Sequence, residues 1–189
     1  MYNRRLLMLT VLAIVVLLTA AAAVPWRSLA ASSPRAPIPG GPQFQMVNAY
    51  QFRSYIPGPT ADYFNDELIN NSPEDRFYQA ALTLPDNITL RKMVVYFYDA
   101  NEQDLVVALW RFDPSTGNHL EMATVYSSGA EPQYRNAVDL SIIEPAVNQQ
   151  RYSYYLEVGM PPGGDTLRMA AVRIDYNPRG LQQQSQDYP

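Results

Sequence analysis

Apolar and polar positions alternate over short stretches along most of this chain, with a period near two rather than 3.6. The pattern predicts strands. "RFYQAALTLP" (Arg76–Pro85) reads as a strand stopped by proline. In "ITLRKMVVYFYD" (Ile88–Asp99), Val94, Tyr96 and Tyr98 alternate with Val95 and Phe97. In "DLVVALWRFD" (Asp104–Asp113), Leu105, Val107 and Leu109 alternate with Val106, Ala108, Trp110 and Phe112. "HLEMATVYSS", "YRNAVDLSI", "RYSYYLEVGM" and "TLRMAAVRIDY" continue the series, and an earlier strand is expected in "VNAYQFRSYI". These runs are rich in Val, Ile, Tyr and Phe and lie between Gly, Pro, Asn and Asp clusters. About eight strands at such spacing predict an all-β fold, an antiparallel β-sandwich of jelly-roll type.

The segments between the runs sharpen this expectation. "DPSTGNH" (Asp113–His119) and "PPGGD" (Pro161–Asp165) each combine Pro with a later Gly, so each is expected to close a hairpin. "DANEQD" (Asp99–Asp104) reads first as the turn joining two adjacent antiparallel strands. The polar stretch Ala61–Asp75 is expected as a long loop, with a helical turn around Asp66–Ile69.

Both ends depart from the alternation. Arg4 and Arg5 precede an apolar run, Leu6 to Leu18, and small residues follow it. Ala21-Ala22-Ala23 and Ser28-Leu29-Ala30 are two signal-peptidase-like sites, so residues 1–30 read as an export signal. The alternative is a membrane anchor over residues 6–24, a length that spans a bilayer as a helix. Under either reading the rest of the chain is expected outside the cytoplasm. Residues 31–43 are rich in Pro, Gly and Ser and read as a linker, residues 44–178 as the folded domain, and 179–189 as a disordered tail.

Composition mainly removes options. Of 189 residues, 47% are hydrophobic, enough for a core, and the net charge is −4. An acidic chain with a single lysine, Lys92, is a poor match for nucleic acid. The lack of cysteine excludes disulfides, thiolate metal sites and a cysteine nucleophile.

Signals of catalysis are sparse. His119 is the only histidine, it lies beside a Gly-Asn turn, and no G-x-S-x-G motif accompanies it. No phosphate loop, dinucleotide fingerprint or H-E-x-x-H occurs. Two ligand chemistries stay open. Asp99, Asn101, Glu102 and Asp104 place four oxygen-bearing side chains within six residues, a chemistry suited to calcium, though without the glycine and distal glutamate of an EF-hand. Tyrosines abound in the expected strands, and an exposed row of rings would stack on sugars. Alternation places Tyr96 and Tyr98 with Val94, predicting burial, and makes Trp110 a core residue beside Val106 and Ala108. Tyr155, opposite Tyr154 and Leu156, is the better exposed candidate, and Tyr134 is the second.

The stretch "ALTLPDNITLRKMVVYFYDANEQDLVVALWRFDPSTG", followed by "YSYYLEVGM" and "LRMAAVRIDY", resembles a group of uncharacterised exported bacterial domains. The resemblance spans Phe77 to Tyr176 and implies a secreted β-sandwich of jelly-roll type. It brings no activity, cofactor or catalytic residue with it. The leading expectation is therefore an exported, non-enzymatic module with a structural or binding role in the cell envelope or beyond it. The alternatives are a carbohydrate-binding module, with or without calcium, whose partners would be glycans, and an extracellular hydrolase.

Overall fold

A computed structural model describes residues 42–55 and 61–179. The expected signal or anchor, nearly all of the linker and the tail beyond Arg179 lie outside the described residues. Eleven strands occur among the described residues: β1 (Gln43–Asn48), β2 (Arg53–Ser54), β3 (Asp62–Phe64), β4 (Glu67–Ile69), β5 (Arg76–Leu82), β6 (Ile88–Asp99), β7 (Val106–Asp113), β8 (Asn118–Tyr126), β9 (Glu131–Asp139), β10 (Ser153–Met160) and β11 (Leu167–Pro178). They form two antiparallel sheets. One runs β3-β4-β11-β6-β9, with β1 also paired to β11; the other runs β2-β5-β10-β7-β8.

The eight longer strands give the jelly-roll order, β1-β11-β6-β9 facing β5-β10-β7-β8. The expected fold class is therefore the observed one. Among consecutive strands only β3–β4 and β7–β8 are hydrogen-bonded neighbours; every other connection between described strands crosses between sheets. The core fills the space between the inner faces. Met93, Val95 and Phe97 of β6 and Val172 and Ile174 of β11 meet Tyr78 and Ala80 of β5, Val107 and Leu109 of β7, and Leu156 and Val158 of β10. This interdigitation is the main source of stability in a chain without cross-links.

Several sequence expectations are overturned here. "DANEQD" joins β6 to β7, which belong to different sheets, so it is a crossover and not a hairpin turn. "PPGGD" likewise carries the chain from β10 across to β11. Local turn chemistry is the same for a hairpin and a crossover; the choice is made by which strands bury β6 and β7. Within Ala61–Asp75 the helical turn is absent. β3 and β4 form a hairpin whose two loop residues, Asn65 and Asp66, have φ of +50° and +66°. Asn and Asp tolerate this left-handed backbone, and a two-residue turn of that kind matches strand twist. The hairpin buries Leu68 and Ile69. The single strand expected in "VNAYQFRSYI" is broken by a 3-10 turn at Ala49–Gln51 into β1 and β2, which enter opposite sheets. "DPSTGNH" does close a hairpin: Gly117, at φ +74°, donates its N–H to the Asp113 carbonyl at 2.8 Å.

Candidate functional site

Strand parity decides which aromatic rings reach solvent. On β7 the inner face is Val107 and Leu109, both fully buried, so Ala108, Trp110 and Phe112 point outward. The expected core tryptophan is thus a half-buried residue on the outside of the five-stranded sheet. Both faces of β7 are apolar, and the packing of the other sheet against Val107 and Leu109 determines which one is enclosed. The same holds on β6, where Met93, Val95 and Phe97 are buried and Tyr96 and Tyr98 stand half-exposed on the opposite face. Burial of those two tyrosines was the wrong expectation.

Tyr155, on β10, lies directly across from Trp110. The two rings are nearly parallel, 11° apart in plane, with centroids separated by 6.4 Å. His119, opposite Phe112 on β8, approaches the Tyr155 ring edge-on and its Nδ1 pairs with the Tyr155 hydroxyl at 2.9 Å. Phe112 packs against the other side of His119 at 4.7 Å. Four rings from three strands therefore form one cluster on an outer face. A bulge in β8 at Leu109/Trp110 keeps His119 and Glu121 outside before it, and Thr124 and Tyr126 outside after it. His119 is exposed and its described ring partner is a phenol, not the serine and carboxylate of a triad.

Polar groups lie beside the cluster. One row along the sheet brings Gln79, Glu157 and Ala108 into register, and Gln79 Nε2 donates to Glu157 Oε2 at 2.8 Å. The next row is Phe77, Gly159 and Val106, with exposed Phe77 at one end and exposed Tyr126 beyond Val106. The Tyr155 phenol is held above its ordinary pKa, first by partial burial and then by Glu157 and Tyr55.

Tyr134 is elsewhere. It stands on β9, edge-on to Tyr98 at 5.6 Å, on the outer face of the other sheet. Its hydroxyl donates to Glu67 at 3.0 Å, and Arg168 lies over the Tyr98 ring at 4.1 Å and the Tyr134 ring at 5.4 Å. Arg168 also pairs with Glu67 at 3.4 Å. The cage is already filled by an arginine of the same chain. The structure does not bring Tyr134 and Tyr155 together.

The four candidate calcium ligands are arranged as a brace for the β6–β7 crossover. Asp99, fully buried, accepts from the Asn101 N–H at 3.0 Å and from Ser127 Oγ at 2.6 Å. Ser127 Oγ in turn accepts from the Leu105 N–H at 3.0 Å. The Asn101 amide donates to the Pro162 carbonyl and to Thr166 Oγ1, tying this crossover to the one between β10 and β11. Glu102 and Asp104 are exposed. Among the described residues no three Asp, Glu or His side chains are gathered closely enough to hold a metal ion. A Cβ on Gly163 would sit 2.8 Å from Leu167 Cβ and 2.9 Å from the Asn101 amide nitrogen, so the tight packing of this crossover needs glycine there.

Fold and site together define an antiparallel jelly-roll sandwich with a solvent-facing aromatic cluster on its five-stranded sheet. No family model and no curated protein matches the chain. Solved structures similar to it include the CBM36-1 domain of a multidomain xylanase from the hindgut metagenome of Trinervitermes trinervoides, at 8% identity and TM-score 0.45, covering 74% of this chain and 100% of that one. TmCBM61 in complex with beta-1,4-galactotriose is 12% identical with TM-score 0.32, covering 72% of this chain and 88% of that one. The Arthrobacter globiformis T6 isomalto-dextranase complexed with panose is 8% identical with TM-score 0.40, covering 69% of this chain and 23% of that one. At such identities and TM-scores nothing about ligand, activity or partner passes from them to this chain.

Proposed function

We infer that this protein is an extracytoplasmic module that binds a polysaccharide chain on the outer face of its five-stranded sheet without cleaving it. The observation that carries this reading is the parallel Trp110–Tyr155 pair on a solvent-facing sheet, with the Gln79–Glu157 pair one row away. Rings of this kind stack on the apolar faces of sugars, and adjoining amide and carboxylate groups accept and donate to hydroxyls. The face is built on central strands, so its side chains are held rather than reorganised on binding. The extracytoplasmic setting rests on the N-terminal sequence, with its arginines, apolar run and small-residue sites.

The test is a glycan array and calorimetry with the full chain, kept in a detergent that carries no sugar, alongside Trp110→Ala. The expected outcome is binding to at least one polysaccharide class, lost in Trp110→Ala, with no release of reducing ends. Binding that persists in Trp110→Ala would remove the face from consideration. Release of reducing ends would make the protein a hydrolase.

A further inference from the structure

Gly159 lies within β10 on the outer side of the five-stranded sheet, between Phe77 of β5 and Val106 of β7, yet it is buried. A glycine within a strand leaves no side chain to pack and marks a close approach by a neighbour. The neighbour here is Phe77. A Cβ on Gly159 would lie 3.2 Å from Phe77 Cε1, 3.6 Å from Phe77 Cδ1 and 2.8 Å from Val106 Cγ1. The ring thus takes the space of the missing side chain, and Phe77 is still 43% exposed. It leans over β10 and offers its remaining surface to solvent.

This ring falls on the same line as the aromatic pair described above. Along β10 the outward positions are Tyr155, Glu157 and Gly159. Tyr155 is paired with Trp110, Glu157 accepts from Gln79, and Gly159 lies beneath the Phe77 ring. Outward positions step by ~6.7 Å along a strand, so the two aromatic stations are about 13 Å apart with a hydrogen-bonding pair halfway. One sugar ring cannot touch both stations; a linear chain laid along β10 can. Rings stack on the apolar faces of sugars, and the amide and carboxylate between them suit sugar hydroxyls. Charge narrows the class: Glu157 stands midway and Glu121 lies opposite Trp110, so uronate and sulfate groups are repelled.

We propose that Phe77 is a second stacking platform and that β10 is the track for a linear, uncharged polysaccharide. One sugar lies on the Trp110–Tyr155 pair, a later one on Phe77, and those between on Gln79 and Glu157. The proposal deepens the polysaccharide-binding reading and rests on it for the first station.

The experiment measures affinities of the full chain in sugar-free detergent by calorimetry. The probes are β-1,4-linked gluco-, xylo- and manno-oligosaccharides, from disaccharide to hexasaccharide, and an oligogalacturonate. The variants are Phe77→Ala, Phe77→Trp, Gly159→Ala and Trp110→Ala. In at least one neutral series, wild-type affinity is expected to rise by about tenfold or more between disaccharide and tetrasaccharide and then level off. Phe77→Ala should remove that rise and leave the disaccharide unchanged, while Phe77→Trp should keep it. Gly159→Ala, whose methyl displaces the ring, should behave as Phe77→Ala does. Trp110→Ala should weaken binding at every length, and the oligogalacturonate should bind weakest. No rise, a rise that persists in Phe77→Ala, no binding in any neutral series, or tighter binding of the oligogalacturonate overturns the second platform. Where Trp110→Ala still weakens every length, the face reading survives that failure. If the rise is lost in Phe77→Ala but Trp110→Ala changes nothing, the first station fails and the Phe77 platform stands. An unchanged melting temperature for Phe77→Ala separates these results from misfolding; if Gly159→Ala melts lower, the Phe77 variants decide alone.

Discussion

Trp110 and Tyr155 face each other across β7 and β10 with nearly parallel rings, and both stand on the solvent side of the sheet. Each ring thus loses only part of its hydration on folding. Trp110→Ala is expected to cost about 2 kcal/mol of stability, less than the ~3–5 kcal/mol for a fully enclosed aromatic residue. Urea titration followed by circular dichroism measures it. A loss in the fully enclosed range would place Trp110 in the core.

The Asp99–Ser127 bond lies where two connections meet, and both partners are buried. Ser127→Ala removes the donor to Asp99 Oδ2 and also the acceptor of the Leu105 N–H. We expect destabilisation by about 2–3 kcal/mol, since a buried carboxylate and a buried amide each lose a partner. A change below about 0.5 kcal/mol would mean that the brace does not hold the crossover.

The same brace occupies both oxygens of Asp99. Millimolar calcium should therefore leave the melting temperature unchanged, as differential scanning fluorimetry would show. A rise of several degrees, abolished by Asp99→Asn, would assign the cation to residues Asp99–Asp104 instead.

Tyr78 predicts how stability depends on alkaline pH. Its hydroxyl is buried and donates to the Ile69 carbonyl at 3.2 Å. Burial first, and then the Asp62 carboxylate, push its pKa from 10.0 up to about 12, against a lowering by Arg76. The folded state thus holds the proton more tightly than the unfolded chain. The stabilisation is fully present below pH 10 and is lost as pH rises toward about 12. Over that window stability should fall by about 2–3 kcal/mol from this group. Tyr78→Phe should flatten the slope while costing about 1 kcal/mol at neutral pH for the lost hydrogen bond. A slope unchanged in Tyr78→Phe would assign it to other tyrosines.

Arg168 neutralises Glu67, which is almost fully buried, and fills the space between Tyr98 and Tyr134. Arg168→Ala is expected to cost about 3 kcal/mol, mostly by leaving a buried carboxylate without a counter-charge, held among the described residues only by the Tyr134 hydroxyl. Adding Glu67→Gln to that variant should recover part of the loss. No recovery would show that ring packing, and not charge, is what Arg168 supplies.

Much of the fold was legible in the chain. The runs Arg76–Pro85, Ile88–Asp99 and Asp104–Asp113 and the later Tyr-rich runs all carry strands, because period-two alternation and β-branched or aromatic residues are local properties. Alternation correctly sets Tyr155 on the face opposite Tyr154 and Leu156, but it lies there half-buried, and Tyr134 is the more exposed of the two candidates. The β3–β4 hairpin was missed, yet it had a signal: "FNDE" sets two residues tolerant of positive φ between paired ends. Trp110, Tyr96 and Tyr98 were assigned to the wrong face, since both sides of their strands are apolar and alternation alone has no sign.

By itself, then, the sequence determined the longer strands from β5 onward, the β7–β8 hairpin and the all-β class, each encoded by residues close together in the chain. Tertiary structure decided that "DANEQD" crosses between sheets and that Trp110 joins Tyr155 outside. Those outcomes depend on which distant strand lies beside which. That choice is made by the joint burial of β5, β6, β7, β10 and β11, a property of the whole core and of no single segment.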